Sequence, residues 1–160
     1  MGKEEAKEMN TSALGSTFEI SLRILLLLNE VHGTALDEQQ IGAVDFISVY
    51  AADFGLLDEN LHGYSNYRFS EYPARKRLVS SAIKGLLLDG NVRFQMAPTG
   101  DKYSITEAGK SICKKLTSNY ADEYRIAVQT VIKSFDNANA ELMLREINRL
   151  TIQSLEGGQA

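Results

Sequence analysis

The sequence predicts a mainly helical protein with a small β-hairpin: a winged helix-turn-helix core followed by C-terminal helices. Apolar residues recur at helical spacing along most of the chain, whereas alternation at a period of two is confined to residues 92–105. The order helix, hairpin, helix between Arg75 and Leu116 is that of a winged helix-turn-helix domain. We therefore expect a disordered tail over 1–15, the winged domain over 16–117, a helical extension over 118–156 and a tail over 157–160.

Two apolar helices open the predicted domain. Ser16 or Thr17 can cap a helix over about residues 18–31, which is apolar nearly all round and should be central. Asp37 or Thr34 begins a second helix over about residues 38–54, and Gly55 closes it.

Residues 56–69 form a predicted loop that is longer than most connections in compact domains. Its apolar and aromatic side chains are typical of interface anchors. The candidate interface residues are Leu57, Leu61, His62, Tyr64 and Tyr67. The alternative is that these side chains pack over the central helices.

The remaining elements follow from local signals. A third helix begins near Pro73 and runs to Leu88. Val92 to Met96 alternates as a strand, residues 98–101 form a turn, and residues 103–105 return. Thr106 caps a helix that extends to residue 116, and two further helices cover about residues 121–135 and 138–155.

The stretch that covers the predicted third helix, the hairpin and the helix after it carries most of the positive charge. Residues 75–115 hold nine Lys/Arg and three acids, a net +6, so the remainder of this −4 chain sums to −10. The candidate contacts to nucleic acid or to a partner are Arg75, Lys76, Arg77, Lys84 and Lys102. They could neutralise phosphates, but this face has no Asn, Gln and Arg series suited to reading base edges. A solvated or protein-docking face is the alternative.

Catalysis finds little support in the sequence. The two histidines lack the spacing of a metal site, and no phosphate-binding Gly-rich loop precedes a Lys-Ser/Thr pair. Asp45, Asp53 and Glu38 fall on or near one predicted helix and are interpreted as solvated or capping acids. We expect no catalytic residue, cofactor or metal, and therefore no enzyme.

Composition favours a soluble cytoplasmic protein. The single cysteine, Cys113, excludes an intrachain disulfide and is predicted to pack in the core. The Lys/Glu-rich start does not resemble a signal peptide, and the longest apolar run is far too short to span a bilayer.

Several short pieces, taken in order, resemble the middle component of ABC-three-component systems, the group that includes Lamassu-type bacterial antiphage defence. These pieces are residues 18–23, 44–54, 61–63, 75–79, 84–88, Tyr103 and 118–120. Two departures accompany the resemblance. Leu61-His62-Gly63 stands where the family has Leu-His-Pro, and residues 51–53 read Ala-Ala-Asp rather than Ser-Gly-Asp.

The resemblance implies a non-catalytic subunit of an antiviral complex. It would bridge a coiled-coil ABC ATPase of the SMC/Rad50 kind and an effector nuclease, and would assist DNA sensing through the complex. A different function stays open on the residues alone. This is a homodimeric winged-helix transcriptional regulator that dimerises through its last helix and contacts DNA with Arg75, Arg77 and Lys84.

Overall fold

A computed structural model describes residues 16–157, which form six α-helices, a short 3-10 turn and one β-hairpin. The helices are α1 (Thr17–Glu30), α2 (Glu38–Val49), α3 (Tyr72–Leu88), α4 (Glu107–Lys115), α5 (Asn119–Ser134) and α6 (Ala140–Gly157). The strands are β1 (Val92–Ala97) and β2 (Gly100–Ile105), and the 3-10 turn is Phe69–Glu71. The prediction of a mainly helical chain with a small hairpin is confirmed. The predicted disorder of residues 1–15 lies outside the described residues.

Helix α1 lies at the centre of the molecule. It contacts α2, α3, α4 and α5, and its residues from Arg23 to Leu28 are all buried, as expected for a helix that is apolar nearly all round. Ser16 caps it by accepting a hydrogen bond from the backbone N–H of Glu19 at 3.0 Å. Helices α5 and α6 pack against α2, and one hydrophobic cluster contains residues of all six helices, including the buried Cys113.

The hairpin is antiparallel, and Phe94 of β1 lies opposite Tyr103 of β2. On its other side, Tyr103 exchanges both backbone hydrogen bonds with Leu36, which follows α1. The element order and this isolated β-bridge accord with a winged helix-turn-helix, and that assignment stays a prediction.

Helix α2 ends at Val49, five residues earlier than expected. The Val49 carbonyl accepts the backbone N–H of His62 at 3.0 Å. The Asn60 side-chain oxygen accepts the N–H groups of Ala52 and Asp53, at 2.9 and 3.2 Å. Buried backbone N–H and carbonyl groups need hydrogen-bond partners. Here Asn60 and His62 supply partners that a further helical turn would otherwise have supplied, so the helix can end at Val49.

Among residues 16–157, no helix has both the length and the apolar character needed to cross a membrane.

Candidate functional site

Four helices each contribute one polar side chain to a buried cluster at the centre of the fold. Arg23 of α1 binds Asp45 of α2 in a bidentate pair, with Nε–Oδ1 at 2.8 Å and Nη2–Oδ2 at 3.1 Å. Tyr124 of α5 donates its hydroxyl to Asp45 Oδ1 at 2.6 Å. Arg75 of α3 places Nη1 3.8 Å from Asp45 Oδ2. One carboxylate therefore faces two guanidinium groups and a phenol.

Electrostatics hold Asp45 in its charged form. Burial alone would raise the pKa of Asp45, but the charges of Arg23 and Arg75 and the hydrogen bonds from Arg23 and Tyr124 lower it to about 2. Burial, with the negative charge of Asp45, raises the pKa of Tyr124 well above its usual value. A carboxylate with so low a pKa is a poor general base, so Asp45 is suited to pairing rather than to proton transfer.

His62 and Tyr120 extend the cluster towards the surface. Tyr120 Oη lies 2.6 Å from His62 Nε2, and Arg75 Nη2 lies 3.4 Å from His62 Nδ1. Because Arg75 can only donate, Nδ1 is the acceptor and Nε2–H donates to Tyr120. Burial and the positive charges of Arg23 and Arg75 lower the pKa of His62 to about 4, so this imidazole is neutral near pH 7.

Arg75 also holds the start of α3 against α2. Its Nη2 donates to Tyr50 Oη at 3.4 Å and lies 3.7 Å from a carboxylate oxygen of Glu71. The guanidinium carbon stands 5.5 Å from the centroid of the Tyr50 ring, within range of a cation–π contact. The role of Arg75 in this structure is thus internal.

A cavity of about 410 Å³ opens beside the cluster. Its lining includes Glu19, Leu22, Leu26, His62, Leu116 and Tyr120. Two of the polar side chains on this lining, His62 and Tyr120, contact each other. Within residues 16–157, no three His, Cys, Asp or Glu side chains gather closely enough to hold a metal ion.

The segment between α2 and α3 is an ordered structure built around Asn60 and Asp53. The Asn60 amide nitrogen donates to Asp53 Oδ2 and to the Gly63 carbonyl, both at 2.9 Å. Arg68 binds the same carboxylate through Nε at 2.6 Å and Nη2 at 2.9 Å. Asp53 is thus a structural clamp within this segment, and it lies outside α2.

The five candidate interface residues of this segment fall into two groups. Tyr64 and Tyr67 are exposed, at 52% and 75%. Leu57 and Leu61 are half-buried, and Leu61 packs against the core. His62 belongs to the polar cluster. The packing of Leu61 agrees with the core-cover interpretation, and the interface interpretation stays a prediction for the exposed Tyr64 and Tyr67.

Tyr67 stands at the edge of a groove between residues 66–70 and the end of α6. The groove has a volume of about 870 Å³. Phe69 and Leu150 contribute apolar lining, as does Leu155, which is 63% exposed. The size and mixed lining of this groove suit a peptide or a helix of another protein.

The five candidate basic contacts differ in their exposure to solvent. Lys76, Arg77 and Lys84 are exposed on α3, and Lys102 on β2 is half-buried. From the sequence, Arg75 is expected to contact nucleic acid or a partner together with Arg77 and Lys84. Arg75 is only 4% exposed, so that expectation is wrong for this residue. Its position explains the difference: Arg75 lies four residues before Val79, on the buried stripe of α3.

A family model matches residues 13–157, nearly the whole chain, and its description is ABC-three component (ABC-3C) system Middle Component 2. The chain belongs to this family. It is thus a middle component of an ABC-three-component system, which works with the other components of that system. No curated protein and no solved structure gives a significant match to this middle component.

The sequence does not predict the polar cluster of this middle component as a unit, although it contains a signal for it. Arg23 and Asp45 are charged residues inside otherwise apolar helices, and such residues must pair or become neutral. The interpretation of Asp45 as a solvated or capping acid is wrong, since this residue is 2% exposed and pairs with Arg23. The stretches that carry the resemblance contain five members of the cluster: Arg23, Asp45, His62, Arg75 and Tyr120.

Proposed function

We propose that this middle component is a non-catalytic assembly and regulatory subunit of an antiviral defence complex. In this proposal it bridges an SMC/Rad50-like ABC ATPase and an effector nuclease, and it assists DNA sensing through the complex. The observation that carries the proposal is the groove beside α6, because two exposed apolar side chains, Tyr67 and Leu155, line it.

The state of the central carboxylate favours a structural subunit over an enzyme. Asp45 accepts three hydrogen bonds from Arg23 and Tyr124, and its pKa of about 2 leaves it without a proton to donate near neutral pH. Cys113 is buried, and burial raises the pKa of its thiol to about 11, so a thiolate nucleophile is disfavoured there.

Co-expression with the proteins encoded beside this chain tests the assembly role. We expect a stable complex that contains an ABC ATPase and elutes at high mass in size-exclusion chromatography. The double variant Tyr67→Ala, Leu155→Ala should lower the recovered complex at least tenfold, because both side chains flank the groove.

A second double variant is the control for the groove variant, because it also truncates two exposed apolar side chains. Ile126→Ala with Leu142→Ala removes two exposed side chains, at 55% and 37%, that lie away from the groove, and it should leave the complex intact. If the groove variant also assembles normally, the groove is not an interface. If the wild-type chain recovers no partner at all, the assembly role is wrong.

The exposed charges on α3 favour a second candidate, the homodimeric winged-helix regulator. Lys76, Arg77 and Lys84 could contact phosphates of a duplex. The purified chain would then bind duplex DNA with sequence preference at low salt, and Arg77→Glu with Lys84→Glu would abolish the binding. An isolated chain that binds no duplex in 50 mM salt would eliminate this candidate, because phosphate attraction is strongest at low salt.

A further inference from the structure

The outer edge of β1 is an unpaired strand. Tyr103 lies opposite Phe94 and uses its backbone groups to bond Leu36, so the pair Phe94–Tyr103 is not bonded across the hairpin. Antiparallel pairs alternate between bonded and non-bonded, and the pair Met96–Asp101 is therefore also non-bonded. The N–H and carbonyl groups of Phe94 and Met96 thus point away from β2, and no other described residue accepts or donates there.

The side chains of this strand are exposed as well. Phe94 is 51% exposed and Met96 is 83% exposed, and both stand on the same face of the hairpin. Natural proteins usually cover such an edge or shorten it, because it is a template for a further strand. An edge of six residues with two exposed apolar side chains is typical of a surface that a partner covers.

The opposite face of the hairpin is positively charged. Arg93 and Lys102 stand on this face, together with the neutral Gln95 and Ser104, and the face holds no acid. A strand added beside β1 would set alternate side chains next to Phe94 and Met96 on one face and next to Arg93 on the other. Asp101 shares the face of Phe94 and Met96, but it lies on β2, one strand farther from the added segment. The matching strand therefore alternates apolar and acidic residues.

We propose that β1 accepts an extended segment of another component of the system, in which apolar and acidic residues alternate, as a third strand of the hairpin. This inference rests on the proposed assembly role and names the chemistry of one partner segment. Backbone hydrogen bonds to Phe94 and Met96 supply affinity, and contacts to the two faces of the hairpin supply specificity.

A second copy of this chain fits the edge less well. Pairing β1 with β1 of another copy would bring together two faces that each carry Arg93 and Lys102, and like charges across strands are destabilising. Nucleic acid also fits less well, because Phe94 and Met96 offer no complement to phosphate.

Residue-resolved hydrogen exchange, on the free chain and on the co-expressed complex, tests the proposal. The amides of Phe94 and Met96 should exchange rapidly in the free chain and at least a hundredfold more slowly in the complex. The amide of Asp101 points away from β1 and is the internal control: it should show no comparable slowing. The amide of Lys102 bonds within the hairpin, and its protection in both samples reports an intact hairpin.

Three other results of the hydrogen-exchange experiment would overturn the inference. If the complex forms while the amides of Phe94 and Met96 still exchange as in the free chain, the inference is overturned and the assembly role stands. If no complex forms, the assembly role fails and the inference fails with it. If the same amides become protected in the isolated chain as its concentration rises, a second copy occupies the edge and the inference is overturned.

Two single variants test the chemistry of the segment. Met96→Pro removes one outward N–H, and Arg93→Glu reverses the charge on the basic face; each should weaken the complex about tenfold or more. Arg145→Glu, on the exposed surface of α6, is the matched charge reversal and should have no effect. Full retention of the complex by both hairpin variants would overturn the inference.

Discussion

Two carboxylates compensate the charges of two buried arginines, since Asp45 faces both and Glu71 lies 3.7 Å from Arg75, and this decides how the centre of the fold responds to substitution. Arg23 and Arg75 are 3% and 4% exposed, and neither could remain charged in such a position without a counter-ion. Tyr124 adds a neutral donor to the same carboxylate. The centre of the fold is thus a single electrostatic unit that joins four helices.

Replacing Asp45 by Asn should destabilise the protein by about 3–5 kcal/mol, because a buried ion pair loses one partner while the other charge remains. The measurement is the free energy of unfolding in urea. Glu141→Gln breaks the pair between Glu141 and Arg145, which are 80% and 67% exposed, and should cost less than about 1 kcal/mol. Equal small losses for both variants would show that Asp45 does not hold the cluster together.

His62 should make stability depend on pH in a defined window. Its pKa is about 4 in the folded state, whereas an unfolded histidine titrates near 6.5. The unfolded chain therefore takes up the proton first, and the stability contributed by neutral His62 is present above pH 6.5 and is lost as the pH falls towards 4. Asp45, with its pKa lowered to about 2, loses its contribution only below about pH 4.

The test compares the wild-type chain with His62→Gln, which stays neutral throughout. The difference in unfolding free energy between the two proteins should shrink by up to about 3 kcal/mol between pH 7 and pH 4. A difference that does not change with pH would show that His62 titrates in the folded chain as it does in the unfolded one.

At the residue scale, the sequence predicts the burial of apolar side chains better than the burial of charged ones. Burial of Cys113 followed from its apolar neighbours and is confirmed. The burial of Arg75 and Asp45 required knowing that α1, α2 and α3 bring opposite charges together, and pairing between distant segments has no local signal. The signal available was weaker: a charge on an apolar stripe has to find a counter-charge.

The elements themselves were largely predictable because their signals are local. Thr106 caps α4, as expected, by accepting from the Gly109 N–H at 3.2 Å, and the hairpin lies within the stretch that alternates. The end of α2 was not predictable, because Asn60 and His62, which compete for its backbone groups, lie more than ten residues beyond Val49.

Gly109 shows how closely α4 approaches the hairpin. A Cβ atom at this position would collide with the backbone oxygen of Asn91 and would lie 2.7 Å from a side-chain carbon of Ile105. Gly109→Ala should therefore lower the melting temperature, at a cost of about 1–3 kcal/mol.

Gly85→Ala is the matched control, because Gly85 lies inside α3 with nothing within 4 Å of its Cβ position. This control should stabilise the protein by about 0.5–1 kcal/mol, since alanine favours the helix. A Gly109→Ala protein as stable as wild type would show that the two elements are packed less closely.

At the scale of the whole molecule, α5 and α6 complete the core that α1 and α2 begin. Tyr124, Val128 and Val131 of α5 are fully buried, as are Met143 and Ile147 of α6. Tyr124 also bonds to the central carboxylate. The predicted division into a domain over 16–117 and an extension over 118–156 follows the order of elements along the chain. Packing between the two parts depends on contacts that are distant in sequence, and sequence order does not reveal these.

A chain that ends at Thr117 should therefore fail to fold, because it exposes the α2 residues that α5 and α6 cover and removes the phenol from Asp45. We expect this chain to show no cooperative thermal transition and to lack the dispersed amide spectrum of the full chain. A chain that ends at Leu150 is the control. It keeps Met143 and Ile147 and loses only the end of α6, where Ile152 and Leu155 are more than half exposed, so it should unfold cooperatively. Cooperative unfolding of the shorter chain would instead make residues 16–117 an autonomous domain, and α5 and α6 would then be free to serve the partners of this middle component.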